Sequence, residues 1–297
     1  LLMKIKKQVV TDRYSLYCDD CCRILPKIPD ESIGFSVFSP PFVSLYSYSD
    51  ETSDMGNASD YGGFFQHFRF LTDQLFRILM SGRVVAVHCM DLPTYKRNGE
   101  EIGITDFPGD IVRTFKESGF VFHSRHCIWK DPLTAATRTN AIGLAHKQIV
   151  KDSSISRMGL ADYILAFRKP GDNPVPIPHP MGLTEYYGAN PIPRNLDRFI
   201  GYDGEQKTNK RSHYIWQRYA SPVWMDIRQT RVLPFRNARE EDDERHICPL
   251  QLDVIERCMV LWSTENDVVL SPFAGVGSEI YVAVKNGRRG IGVELKS

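Results

Sequence analysis

The chain has 297 residues, 42% hydrophobic and 25% charged, with 37 Lys+Arg against 36 Asp+Glu for a formal charge of +1. That length holds one or two domains with a sizeable core, and the composition excludes extensive disorder, a collagen-like repeat and a uniformly basic nucleic-acid coat. No run approaches 18 apolar residues, and the opening Leu1-Leu2-Met3-Lys4-Ile5-Lys6-Lys7 is too short for a secretory signal, so a cytoplasmic protein with no membrane partner is expected.

Residues 13–42 read as strand, turn, helix and strand: Tyr14 to Tyr17, Asp19-Asp20, a helical stretch from Cys21 to Leu25, then Ile33 to Phe38. Two prolines cannot sit inside a central strand, so Ser39-Pro40-Pro41-Phe42 is a loop at the strand's carboxyl end, where open α/β sheets place their active sites. A helix is predicted from Tyr61 to Met80, a strand from Val84 to Cys89, a helix over 110–118, and strands at 120–129 and 163–167. From Gly171 to Arg245 the rhythm breaks into a proline- and arginine-rich insertion rather than sheet. It resumes with a helix from Pro249 to Trp262, the strand Val268 to Leu270, a glycine turn, a helix to Asn286 and a final strand from Arg289 to Leu295. Seven cysteines, an odd number, fit reduced thiols. Cys18, Cys21 and Cys22 lack a second pair at ligand spacing, so no bound metal is expected.

Two constellations carry chemistry. Phe273-Ala274-Gly275-Val276-Gly277-Ser278 follows a strand and opens a helix, and Glu294 closes the next strand, where a carboxylate can accept both hydroxyls of a ribose. This arrangement suits either a nucleoside-bearing ligand or ordinary helix–strand packing. It lacks a full G-x-G-x-x-G and a P-loop lysine, which disfavours a dinucleotide. In Ser39-Pro40-Pro41-Phe42 a hydroxyl and a rigidly held carbonyl converge beside an aromatic ring, two acceptors and a stacking platform for a flipped base bearing an amino group.

Together these segments resemble the DNA amino-methyltransferases. Ser39 to Phe42 is similar to that family's (Asp/Asn/Ser)-Pro-Pro-(Tyr/Phe/Trp), and Ser271 to Gly277 to its Asp-Pro-Phe-x-Gly-x-Gly, with Ser271 in place of the usual Asp. The catalytic loop precedes the cofactor turn, the permuted order of the family's beta group. The resemblance implies an S-adenosylmethionine-dependent methyltransferase (Rossmann-like) α/β fold: a seven-stranded mixed sheet with helices on both faces and an inserted target-recognition region. The implied units are residues 1–170 and 246–297 as two halves of one catalytic domain and 171–245 as the insertion. A helix that usually follows the last strand would lie beyond Ser297, unless another segment covers that face.

The resemblance also implies S-adenosyl-L-methionine as cofactor, with Asp20 near its adenine and Glu294 on its ribose. Phe273, Ala274, Gly275, Gly277 and Ser278 would surround the methionine end, and His246 and Pro249 would stand before the preceding helix. Ser39, Pro40, Pro41 and Phe42 would hold the target base. Hydrogen bonds from the amine to Ser39 Oγ and the Pro40 carbonyl would localise the nitrogen lone pair for attack, and the proton could leave to water. No proline is followed by cysteine, which disfavours methylation at cytosine C5.

The partner implied is double-stranded DNA, in a restriction-modification setting. Between Arg125 and Pro170 eight Lys/Arg stand against three Asp, and between Arg194 and Arg239 ten stand against four acids, before the block Glu240 to Glu244 offsets them. Lys130, Arg138, Lys147, Arg211 and Trp216 are the candidate DNA contacts. Lys130, in Trp129-Lys130-Asp131-Pro132, either borders the target pocket or packs at a sheet edge. Serine before Pro-Pro is commoner among cytosine-N4 enzymes of the family and tips the expected target to N4 of cytosine, with N6 of adenine as the alternative. An RNA or protein amine methyltransferase, or a non-catalytic DNA-binding module, are the more remote readings.

Overall fold

The computed structural model describes residues 7–42, 61–94, 103–139, 144–156, 158–197, 200–234 and 249–295. The first half runs β1 (Lys7–Val10), β2 (Tyr14–Cys18), α1 (Cys21–Ile24), β3 (Ile33–Phe38), α2 (Tyr61–Ile78), β4 (Leu79–Met90), β5 (Leu92–Thr94) and β6 (Gly103–Thr105). It continues with α3 (Phe107–Glu117), β7 (Val121–Ile128), α4 (Pro132–Thr139), α5 (His146–Lys151) and β8 (Asp162–Arg168). After the proline-rich stretch come α6 (Lys210–Tyr219), β9 (Val223–Trp224), α7 (Leu252–Trp262), β10 (Val268–Ser271), α8 (Ser278–Lys285) and β11 (Arg289–Glu294).

Local chemistry sets several of these boundaries. Asp20, Asp106 and Asn209 each accept a backbone N–H from the first turn of α1, α3 and α6 and so satisfy a donor that a helix start leaves free. Gly119, in the left-handed region at φ 99°, turns the chain from α3 toward β7. In α2, Phe64, Phe68, Leu71, Leu75 and Ile78 recur at helical spacing on the buried face.

The main sheet has the order β1-β2-β11-β10-β3-β4-β8-β7-β9. Strands β2, β11, β10, β3 and β4 are parallel, and β8 runs antiparallel between β4 and β7. Nine strands replace the seven expected. The additional two are edges: β1 folds back on β2, and two-residue β9 pairs with β7. Both faces are covered, so the central strands are largely apolar while their side chains alternate between two cores. Val85, Val87 and Cys89 of β4 join the core under α2 and α3, whereas Val84 and Ala86 join Phe35 and Val37 beneath α7 and α8.

The insertion is not separate from the sheet, contrary to the sequence reading. It supplies β9, and its Trp224 and Ile227 enter the α7 core. Helix α6 packs Ile215 and Tyr219 against Leu183, Val260 and Leu261. Arg257, fully buried on α7, donates from Nη2 to Asp226 at 2.7 Å and from Nε to the Tyr187 carbonyl at 2.7 Å. Its guanidinium also lies 5.0 Å from the Tyr219 ring and 5.1 Å from that of Trp224. Thus Leu183, Tyr187, helix α6 and the segment from Trp224 to Ile227 clamp onto α7. Among the described residues no helix is long and apolar enough to cross a membrane.

Candidate functional site

The strand order creates the site. Adjacent strands β10 and β3 send the chain in opposite directions, β10 through α8 to β11 and β3 through α2 to β4. Such a reversal opens a crevice at the carboxyl ends of the two strands. The glycine turn leaves β10 into this crevice and Ser39-Pro40-Pro41-Phe42 leaves β3 beside it, with the rings of Phe38 and Phe273 5.7 Å apart. Residues more than 230 positions apart in sequence therefore share one edge of the sheet.

On the β10 side, Gly275 and Gly277 have φ of 51° and 84°, a backbone region costly for side chains with a Cβ. No atom lies within 4 Å of where a Cβ would stand on either, so the turn borders open space. Gly277 begins α8 and the turn is tied to β11: Ala274 N–H donates to the Val293 carbonyl at 2.8 Å, and Gly275 N–H to Glu294 Oε2 at 2.7 Å. Leu295 N–H donates to the other oxygen of Glu294 at 3.0 Å, and a carboxylate oxygen can accept a second bond. Ala274 and Ser278 are buried, and the hydroxyls of Ser278 and Ser271 find no hydrogen-bond partner among the described residues.

The end of β2 adjoins Glu294, whose carbonyl accepts from Asp19 N–H at 3.0 Å. Asp20 Oδ1 caps α1 through Cys22 N–H at 2.8 Å. Ligand atoms of Asp20, Cys21 and Cys22 lie within 4.8 Å of one another, and the Cys22 hydrogen bond and burial push the Cys21 thiol well up. The buried Asp19, which sequence reasoning missed, pairs with Arg23 Nη1 at 2.9 Å. Pro249 lies three residues before α7, and His246 falls outside the described residues.

On the β3 side, Pro40 and Pro41 are buried, and Phe42 packs edge-on against Phe107 at 6.1 Å. Ser39 Oγ lies 2.5 Å from His88 Nδ1 on β4. His88 Nε2 in turn lies 3.1 Å from Asp162 Oδ2 at the start of β8, a close charge contact rather than an aligned hydrogen bond. Lys130, just past β7, reaches Asp162 Oδ1 at 2.5 Å. Burial works to raise the Asp162 carboxyl, but His88 and Lys130 outweigh it and hold it below its ordinary value. Sequence reasoning included Lys130 and missed His88 and Asp162. The available signal was a single imidazole inside the apolar run Val84 to Cys89, and an acid opening an otherwise apolar strand.

The basic middle of the chain divides in two. Arg228 and Arg231, counted from sequence toward a DNA-facing surplus, are committed to α7. Arg228 Nε donates to Asp253 at 2.9 Å, and Arg231 binds Asp253 at 2.6 Å and also Glu256. Burial would raise the Asp253 carboxyl, and these two arginines keep it low. Arg211 donates to the Thr184 carbonyl at 3.1 Å on the same helix as Trp216, which is 54% exposed. Lys147 is exposed on α5, and Arg138 belongs to α4. Trp129, beside Lys130 at the crevice edge, is 46% exposed.

Comparison with known proteins places this geometry. The family model described as DNA methylase, of N6 and N4 type, matches residues 33–297. The Type II methyltransferase M.BamHI of Bacillus amyloliquefaciens is 23% identical over 99% of this chain, which spans 57% of that protein's length. The PvuII DNA methyltransferase, cytosine-N4-specific, superposes with a TM-score of 0.63 at 15% identity, covering 99% of this chain and 86% of its own. A Thermus thermophilus protein, TTHA0409, solved in complex with S-adenosyl-L-methionine, gives a TM-score of 0.60 at 21% identity over 95% of this chain and 89% of its own.

Proposed function

The chain belongs to the DNA methylase family, and from that premise we propose that it transfers a methyl group from S-adenosyl-L-methionine to an exocyclic amine of a DNA base, N4 of cytosine. The observation that carries this reading is the crevice itself: an acceptor-lined Ser-Pro-Pro-Phe loop and an open glycine turn leave neighbouring strands β3 and β10.

The residues present fit the cofactor. A turn with open space at two left-handed glycines, buried Ser271 and Ser278 hydroxyls without partners among the described residues, and the Glu294 carboxylate beside them suit a ligand with a ribose and an amino-acid end. Glu294 and Asp20 would hold the nucleoside, and Phe273, Ala274, Gly275, Gly277 and Ser278 the remainder. When bound, the cofactor supplies an electrophilic methyl group. Ser39 Oγ and the Pro40 carbonyl accept from the amine's N–H groups and orient its lone pair, and Phe42 flanks the base. No strong base is needed before attack.

Residues 1–170 and 246–297 serve as the two halves of the catalytic domain and 171–245 as the recognition insertion. Duplex DNA would meet the chain through Lys130, Arg138, Lys147, Arg211 and Trp216. The preference for cytosine N4 rests on Ser39 before Pro40-Pro41, the form commoner among cytosine-N4 enzymes of the family.

Labelled methyl transfer to duplex DNA, followed by nucleoside mass spectrometry, tests the reading. N4-methylcytosine is expected, N6-methyladenine would reassign the base, and label confined to RNA or protein would overturn it. Ser39→Ala is expected to lower transfer by at least ~100-fold while cofactor and DNA binding persist.

A further inference from the structure

We propose that His88 is the positioning and proton-accepting partner of Ser39, held in its working tautomer by Asp162. This rests on the methyl-transfer reading above. The arrangement follows from strand register. Val87 lies opposite Phe38, so Ser39, one residue on, falls beside His88, while Met90 of β4 and Ile128 of β7 both lie opposite Asp162. Side chains of a strand alternate, so His88 shares the face of Val84 and Ala86, and Asp162 that of Ile164 and Ala166. Four neighbouring strands, β3, β4, β8 and β7, thus contribute or adjoin Ser39, His88, Asp162 and Lys130 along one edge.

The spacing assigns the protons. Of the two ring tautomers, the one with its proton on Nε2 faces the buried Asp162 carboxylate 3.1 Å away, and it leaves Nδ1 to accept the Ser39 hydroxyl at 2.5 Å. The Ser39 proton is then directed away from the crevice, and the oxygen's lone pairs face an incoming N–H. Once the amine nitrogen has gained its methyl group it carries a positive charge and an acidic N–H. That N–H bond breaks, its electron pair stays on nitrogen, and the proton passes to Ser39 Oγ. Ser39 gives its own proton to His88 Nδ1, so serine is regenerated and the methylated amine is neutral. The resulting imidazolium stands against the Asp162 carboxylate and then releases the proton to solvent. Without the Asp162 charge, imidazolium formation in this buried position would meet a desolvation penalty alone.

The groups facing His88 are Asp162 from β8, Lys130 from the segment after β7 and the Ser39 hydroxyl from β3.

The experiment measures single-turnover methyl transfer to DNA for the parent, His88→Gln and Asp162→Asn. Cofactor and DNA affinities are measured alongside, with nitrogen-15 shifts of the His88 ring in the parent. His88→Gln should lose ~100-fold in rate while both affinities persist. Asp162→Asn should also slow transfer with both affinities kept, because the imidazolium loses its counter-charge. The ring should show the Nε2-protonated neutral tautomer, a measurement that stands even if a variant fails to fold. A parent rate in His88→Gln or in Asp162→Asn, or an Nδ1-protonated ring, would each overturn the relay while leaving methyl transfer intact. A parent protein that transfers nothing to DNA would overturn the methyl-transfer reading and the relay with it.

Discussion

Arg257→Met tests whether the insertion is held as part of the catalytic unit. Arg257 has no exposed surface, and its charge is balanced by Asp226 at 2.7 Å, itself 6% exposed. Methionine keeps much of the aliphatic stem but leaves the Asp226 carboxylate with the Tyr186 hydroxyl as its remaining described side-chain partner, and it frees the Tyr187 carbonyl. Removing one member of a buried ion pair costs about 3–5 kcal/mol, chiefly because the other charge stays buried. At ~2 °C per kcal/mol for a chain of this size, thermal unfolding should begin ~6–10 °C lower. Proteolytic cleavage within residues 183–227 should accelerate, since that segment is clamped by the same group. The double variant Arg257→Met/Asp226→Leu should lose less than the sum of the single changes by ~1–3 kcal/mol, because no unpaired charge remains. A shift below ~2 °C for Arg257→Met, or strictly additive losses in the double variant, would refute the clamp.

Gly275→Val should fold with a strain of about 1–2 kcal/mol from its left-handed backbone and lower S-adenosyl-L-methionine affinity at least ~10-fold by calorimetry, because the added side chain enters the open space beside the turn. Unchanged affinity would displace the cofactor from that turn. Burial, aided by the nearby Glu294 charge, pushes the Glu279 carboxyl up to about 8 from an ordinary 4.5. Between those values the folded chain holds a proton that the unfolded chain has released, so this group contributes stability that is lost as pH rises toward 8. Glu279→Gln should therefore match the parent in chemical unfolding near pH 4.5 and exceed it increasingly up to pH 8; a pH-independent difference would contradict this. Arg231→Gln should lower the unfolding midpoint, since it uncovers Asp253 and Glu256, both without exposed surface, yet leave the salt dependence of DNA binding unchanged. A shallower salt slope would put Arg231 on the DNA surface instead.

Both halves of the crevice were legible in the chain itself. Prolines at 40 and 41 cannot continue a central strand, so Ser39 had to mark a carboxyl end, and a strand followed by glycines and a helix is a local pattern at 268–278. Alternation of β, α and β elements likewise marked an open α/β sheet. The two edge strands were hidden: Lys7–Val10 is exposed throughout and Val223–Trp224 is two residues long, so neither carries enough apolar pattern. Helix α6 was hidden too, since its buried Ile215 and Tyr219 are sparse among polar residues and gain meaning only against α7.

What the sequence alone determined was therefore the chemistry that short spacing encodes: an acceptor loop, a glycine turn with its acid, and the helix–strand rhythm between them. Tertiary structure decided which distant side chains meet. It set β10 beside β3, lined His88, Asp162 and Lys130 behind Ser39, and turned Arg228, Arg231 and Arg257 inward to buried acids. The physical reason is that a charge count or a lone histidine carries no direction. Strand register and face fix whether that group is solvated, paired or poised against a hydroxyl, and register arises only when the whole sheet assembles.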